Sequence, residues 1–79
     1  MVFIVYSKDG CPYCEKIIKV FETLKLEHEV YKLDRDFTVK QFCDSFGKGV
    51  LFPQVILNRE KVLGGCTQTL KFLKENDLI

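Results

Sequence analysis

Cys11-Pro12-Tyr13-Cys14 is the segment of this sequence best equipped for chemistry. Two cysteines separated by two residues hold either a metal ion or a disulfide. Their surroundings separate the two readings. The pair follows an apolar run, Val2-Phe3-Ile4-Val5-Tyr6, and precedes residues with helical spacing. Cys11 therefore falls at the mouth of a strand-to-helix turn. At a helix N-terminus the unpaired N–H groups and the macrodipole favour negative charge, so a thiol there is drawn towards thiolate, its reactive form. Cys14, in the first helical turn, is within reach of a disulfide with Cys11. The pattern describes a redox device.

The other two cysteines, Cys43 and Cys66, lie far apart in the chain. A four-thiolate zinc site usually draws on two close pairs, and this chain has one. Two structural disulfides would suit a small secreted protein. Against that, the chain opens on a strand-like segment, without a basic region, apolar stretch and small-residue cleavage site. The expectation is a cytoplasmic protein with one redox pair, two separate thiols and no metal.

A chain of 79 residues makes a single domain, 1–79, near the lower size limit for folding unaided. Its 47% hydrophobic content, with seven Phe and three Tyr, supplies the core. The net charge of +1 gives no general attraction to nucleic acid or anionic membrane. No apolar run approaches the roughly 20 residues of a membrane span. Neither class of partner is expected.

The elements that must position the cysteines follow from periodicity. Residues 1–6 read as a strand buried on both faces. Pro12 suits a first helical turn, and Ile17, Ile18, Val20, Phe21, Leu24 and Leu26 predict an amphipathic helix over about 12–26. Residues 29–34 read as a second strand, giving a right-handed βαβ unit. Thr38 to Phe46 predicts a shorter helix with Val39, Phe42, Cys43 and Phe46 on its inner side, ended by Gly47-Lys48-Gly49. Pro53 opens a strand over 54–57. Asn58-Arg59-Glu60 turns into a short strand, 61–63, and a last helix follows Gly64-Gly65. The order β-α-β-α-β-β-α predicts an α/β fold. Its four-stranded mixed sheet has helices on both faces, the first strand central and the last two forming an antiparallel hairpin.

Lys8-Asp9-Gly10-Cys11-Pro12-Tyr13-Cys14, then Phe52-Pro53-Gln54, then Gly64-Gly65-Cys66-Thr67, in this order and spacing, resembles the dithiol glutaredoxins. The likeness spans essentially the whole chain and is closest to the short glutaredoxins of bacteria and their viruses. The resemblance implies a thioredoxin-like fold and glutathione-dependent thiol–disulfide exchange, with Cys11 as nucleophile and Cys14 as resolving thiol. It also implies a cis peptide before Pro53. Two positions depart from the family pattern. Leu51-Phe52 stands where Thr-Val is usual, and the bulk of Phe52 is expected to narrow the groove. Thr67 stands where an Asp often contacts the α-amino group of glutathione, so the γ-glutamyl end should be held more weakly or by other groups.

The remaining residues are weighed against blander roles. Cys11 is expected to be exposed and Cys14 more buried. Lys8 is either a solvated surface lysine or a cation that favours the thiolate and meets a glutathione carboxylate; the resemblance favours the second. Tyr13 should line the groove edge, with the backbone of Phe52 and Pro53 along its middle. Gly65, Cys66 and Thr67 should form an anion site at a helix N-terminus, with Thr67 as the cap. Lys40 and Gln41 either reach the glycine carboxylate of glutathione or lie on a solvated face. Cys43 reads as core, His28 as a surface loop residue, and Arg35-Asp36 as a solvated turn.

The expected cosubstrate is glutathione, with no tightly bound cofactor. The expected partners are disulfide-containing proteins, with ribonucleotide reductase the recipient implied by the resemblance, and the protein is expected to act as a monomer. A thioredoxin-type reductase fed by a flavoprotein usually has Gly-Pro between its cysteines, which Pro12-Tyr13 does not match. A glutathione-ligated iron–sulfur carrier is the alternative from another class. There Pro12 would stiffen the loop and the second thiol would compete with the cluster. A non-catalytic binding module would not need the intact cysteine pair.

Overall fold

The computed structural model describes residues 1–79. Its elements are β1 (Phe3–Ser7), α1 (Pro12–Thr23), β2 (His28–Lys32), α2 (Val39–Phe46), β3 (Gln54–Leu57), β4 (Lys61–Gly64) and α3 (Cys66–Glu75). The sheet order is β2-β1-β3-β4, so β1 is internal as the periodicity predicts. β1 pairs in parallel with β2 and antiparallel with β3, and β3–β4 is an antiparallel hairpin. Asn58 and Arg59 carry the hairpin turn, both at positive φ (54° and 64°). That combination matches the twist of the flanking strands.

Alternation along β1 divides the interior into two layers. Phe3 and Val5 face α1 and α3, where they join Ile17, Phe21, Val55, Leu57, Cys66 and Leu73 in one buried cluster. Phe3 and Phe21 stack there with ring centroids 4.6 Å apart. Tyr6 faces the opposite side and meets Phe37 and Phe46 at 5.0 Å and Phe42 at 6.4 Å. The first layer is mainly aliphatic and holds the two long helices. The second is aromatic and lies under α2. No helix is long and apolar enough to cross a membrane.

The structure departs from the periodicity in three places. α1 ends at Thr23, because Lys25 takes a positive φ of 57°, Lys25 N donates to the Glu22 carbonyl and Leu26 N to the Phe21 carbonyl. This is a Schellman closure with lysine in the place glycine usually fills, which is why the sequence hides it. Leu26 still packs on the core, so its apolar character is explained outside the helix. His28 is the first residue of β2, not a surface loop residue; it is half-buried, with Nδ1 2.8 Å from the Leu26 carbonyl. Val39 is 59% exposed and Cys43 only half-buried, because α2 is short and Phe42 alone of its residues is fully buried. Arg35-Asp36 is a turn as expected, tied down by Asp36, whose carboxylate accepts from Lys32 N and Arg35 Nε, both at 2.8 Å.

Candidate active site around Cys11 and Cys14

Ser7 ends β1 with its hydroxyl anchored on the Tyr31 carbonyl (3.0 Å). The chain then turns through Gly10, at φ +68°, into α1. Cys11 is the N-cap in extended conformation and Pro12 the first helical residue, where its missing N–H costs nothing. Cys11 Sγ accepts a hydrogen bond from Cys14 N at 3.2 Å. The sulfur therefore occupies the place a capping oxygen normally takes, facing the free amides at the positive end of the helix. Cys11 and Cys14 are joined as a disulfide, with Cα atoms 5.2 Å apart.

The expectation of an exposed Cys11 is corrected. Cys11 is buried at 6% exposure, against 1% for Cys14. The disulfide draws its sulfur inward to Cys14 and the cap hydrogen bond holds it there. The order of burial is as expected. Tyr13, between them, is 62% exposed.

A groove of about 330 Å³ opens beside the pair. Tyr13 forms one wall, Leu51, Phe52, Pro53 and Gln54 the floor, and Gly65, Cys66, Thr67 and Gln68 the far wall. The structure thus gathers six of the expected site residues: Tyr13, Phe52, Pro53, Gly65, Cys66 and Thr67. The Phe52–Pro53 peptide is cis. A Cβ at Gly65 would lie 3.2 Å from Gln68 Oε1 and 3.6 Å from the Pro53 carbonyl, so glycine permits the close approach of α3 to the proline loop. Gly64, at φ +109°, makes the preceding bend.

Thr67 is not the expected cap, and of the two alternatives for Lys40 and Gln41 the structure favours the one away from the groove. Gly65 is the N-cap of α3, and Thr67 is the second helical residue. Gln68 Oε1 accepts from Gly65 N at 3.1 Å, closing the helix start from the side-chain end. The amides of Cys66, Thr67 and Gln68 have no intrahelical carbonyl to reach, which leaves free donors at the groove wall. Gln41 does not approach the groove. Its side chain accepts from Thr38 N at 2.8 Å while Thr38 Oγ1 accepts from Gln41 N, a capping box that fixes α2. Lys40 pairs with Asp44 at 2.9 Å on the exposed face of α2.

Phe52 lines the groove and is also packed against the aromatic layer. Its ring stacks on Phe42, with centroids 4.2 Å apart and planes 14° from parallel, and it reaches Phe37 at 6.2 Å. Lys8 is not a groove-lining residue; its Nζ lies over the Phe52 ring, 5.3 Å from the centroid. Sequence reasoning missed Leu51, Gln54 and Gln68 as lining residues. Gln54 Nε2 donates to the Leu51 carbonyl at 2.9 Å and braces the proline loop from β3. The Gly65-x-x-Gln68 spacing is a capping signal that could have found Gln68.

Cys66 lines the groove but is buried at 6% exposure. Burial pushes its thiol up from the usual cysteine range, with Lys16 opposing weakly, so the neutral form is favoured. Among the cysteines, the disulfide and the helix cap single out Cys11 and Cys14 for redox chemistry.

A dithiol at the start of the first helix of this sheet, facing a proline loop, defines a thiol–disulfide oxidoreductase of thioredoxin-like fold. The glutaredoxin family model matches residues 3–62. The glutaredoxin of Haemophilus influenzae is 32% identical over 84 residues, covering 95% of this chain and 93% of its own. The solution structure of reduced Escherichia coli glutaredoxin superimposes with a TM-score of 0.79 over 96% of both chains, at 20% identity. The buckwheat glutaredoxin–glutathione complex does so with a TM-score of 0.78 at 24% identity, over 96% of this chain and 71% of that one. The chain belongs to the glutaredoxin family and is a disulfide oxidoreductase.

Proposed function

We propose that the protein uses glutathione to reduce protein disulfides and protein–glutathione mixed disulfides through Cys11 and Cys14. The observation that carries this reading is the groove beside the disulfide, with Tyr13 on one side and the α3 N-terminus on the other. Glutathione bears a carboxylate at each end and a thiol between. Free helix amides suit the γ-glutamyl carboxylate and the Lys8 ammonium suits the other. The buckwheat complex supports the same ligand class.

The exchange balances in thiol–disulfide steps. Cys11 thiolate attacks one sulfur of a substrate disulfide, forming a mixed disulfide and releasing the other sulfur as thiolate, which takes up a proton. For a protein disulfide, Cys14 thiolate then attacks Cys11 Sγ, releasing the reduced protein and closing Cys11–Cys14. One glutathione thiolate reopens that bond at Cys11. A second attacks the glutathione sulfur of the adduct, giving oxidised glutathione and the starting dithiol. For a glutathionylated protein, Cys11 attacks the glutathione sulfur, and only the last step is needed.

We read the protein as a cytoplasmic monomer with no resident cofactor. Its substrates are disulfide-bearing proteins, and ribonucleotide reductase is included on the family resemblance alone. A steady-state assay on a glutathionylated peptide with glutathione, NADPH and glutathione reductase tests the reading. NADPH oxidation should depend on both the protein and glutathione. Turnover supported only by thioredoxin reductase would overturn the assignment of glutathione.

A further inference from the structure

We propose that the side chain of Phe52, which lines the groove, is a positioning residue that holds the Lys8 ammonium over its ring for glutathione. The proposal rests on the glutathione reading above. It concerns the ring of Phe52, whereas that reading uses the backbone beside Pro53.

The ring is fixed on one face. It stacks on Phe42, itself 3% exposed, and Phe37, 7% exposed, lies within reach of both rings. Through Phe42, Phe37 and Tyr6 this stack continues into the aromatic layer under the sheet. The Leu51 carbonyl next to it is pinned by Gln54. The Phe52 ring is therefore a rigid platform, and Lys8 Nζ rests above it at 5.3 Å. A ring face attracts an ammonium at this range.

Lys8 has no competing partner. The ion pairs of the molecule are Lys32–Asp9, Arg35–Asp36, Lys40–Asp44 and Arg59–Glu29. Asp9, adjacent in sequence, is taken by Lys32 at 2.9 Å. A free lysine at the surface has many rotamers to lose on meeting a ligand. The ring removes part of that freedom beforehand, and binding improves by the freedom already lost. A smaller apolar residue at position 52 would leave no face for the ammonium. Phenylalanine there thus supplies the face on which the cation is prepared.

The test compares Phe52→Leu, which keeps apolar bulk without a ring face, with Phe52→Tyr, which keeps the face. The first readout is the NMR shift of the Lys8 ε-methylene protons without glutathione. An upfield ring-current displacement is expected in wild type and Phe52→Tyr and should vanish in Phe52→Leu. The same shift in all three proteins would overturn the proposal whatever glutathione does. The second readout is the KM for glutathione. Phe52→Leu should raise it about two- to fivefold, the factor a surface cation–π contact supplies. Phe52→Tyr should restore it. In a Lys8→Ala background Phe52→Leu should add nothing; an undiminished effect there means Phe52 acts by another route and overturns the proposal. If Lys8→Ala alone leaves the KM unchanged while the ring-current shift is present, the failure lies in Lys8 as a glutathione contact, and the use proposed for its positioning falls with it.

Discussion

Cys11 and Cys66 each stand at the N-terminus of a helix and are equally buried, yet the fold gives their sulfurs different surroundings. Cys11 is the N-cap of α1, outside the first turn, and its sulfur accepts the Cys14 amide. Cys66 is the first residue inside α3, and its side chain joins Phe3, Ile17, Phe21 and Leu73 in the core. Burial then raises its thiol above the ordinary range. One residue of register separates the two situations. A helix end makes a reactive thiolate only when the sulfur itself faces the free amides, because burial alone favours the neutral form.

The largest effect should come from breaking the first of these sites. Cys11→Ser is expected to abolish exchange with every disulfide substrate in the glutathione-coupled assay. Cys66→Ala should still turn over and should lose stability on the order of 1 kcal/mol, as removal of a small buried apolar group does. Denaturant unfolding measures that loss. Comparable loss of turnover in the two variants would erase the distinction.

Cys14→Ser sharpens the comparison within the pair. It should retain reduction of glutathionylated peptide, which needs one thiol, and lose most reduction of intramolecular protein disulfides, which need the second. Parallel assays on the two substrate types report it. Equal loss on both would contradict the division of roles.

A smaller effect is expected at the groove wall. Thr67→Asp places a carboxylate where the α-amino group of glutathione would lie, and the KM for glutathione should fall. Titration of the groove resonances with glutathione checks the same point; perturbations confined to β2 and the far end of α3 would refute the placement of the ligand.

The smallest effect concerns the turn below the aromatic layer. The Arg35 guanidinium, and then the Lys32 amide, hold the Asp36 carboxylate below the usual range. A carboxylate depressed in the folded state stabilises it above the unfolded value, near 3.9, and that contribution disappears as pH falls through the folded value. Asp36→Asn should therefore lower Tm slightly at neutral pH, with the gap to wild type closing in acid. A gap that widened on acidification would reverse the sign.

Much of this arrangement was legible in the residues. A continuous apolar, β-branched run located β1, Pro53 marked the start of β3, Pro12 marked the helix start, and Gly64-Gly65 marked the approach of α3. The unread parts share a physical cause, since they depend on which partner a residue meets across space. Lys25 closes α1 without a glycine signal. Nothing in the spacing decides whether Gln41 reaches a ligand or stays on its helix face; its capping box with Thr38 decides it. Phe52 looked like an obstruction in the groove, and the stacking that draws its ring towards Phe42 is a long-range contact. The burial of Cys11 comes from a bond that spacing permits but does not require.

The central claim is that Cys11, by its place at the cap of α1, is the thiolate that starts the exchange while Cys66 is held neutral. Alkylation of the reduced Cys14→Ser protein by iodoacetamide at neutral pH, followed by peptide mass spectrometry, tests it directly. Cys11 should be modified at least about tenfold faster than Cys66, which should react only as the protein unfolds. Equal rates at the two sulfurs, or faster reaction at Cys66, would contradict the account.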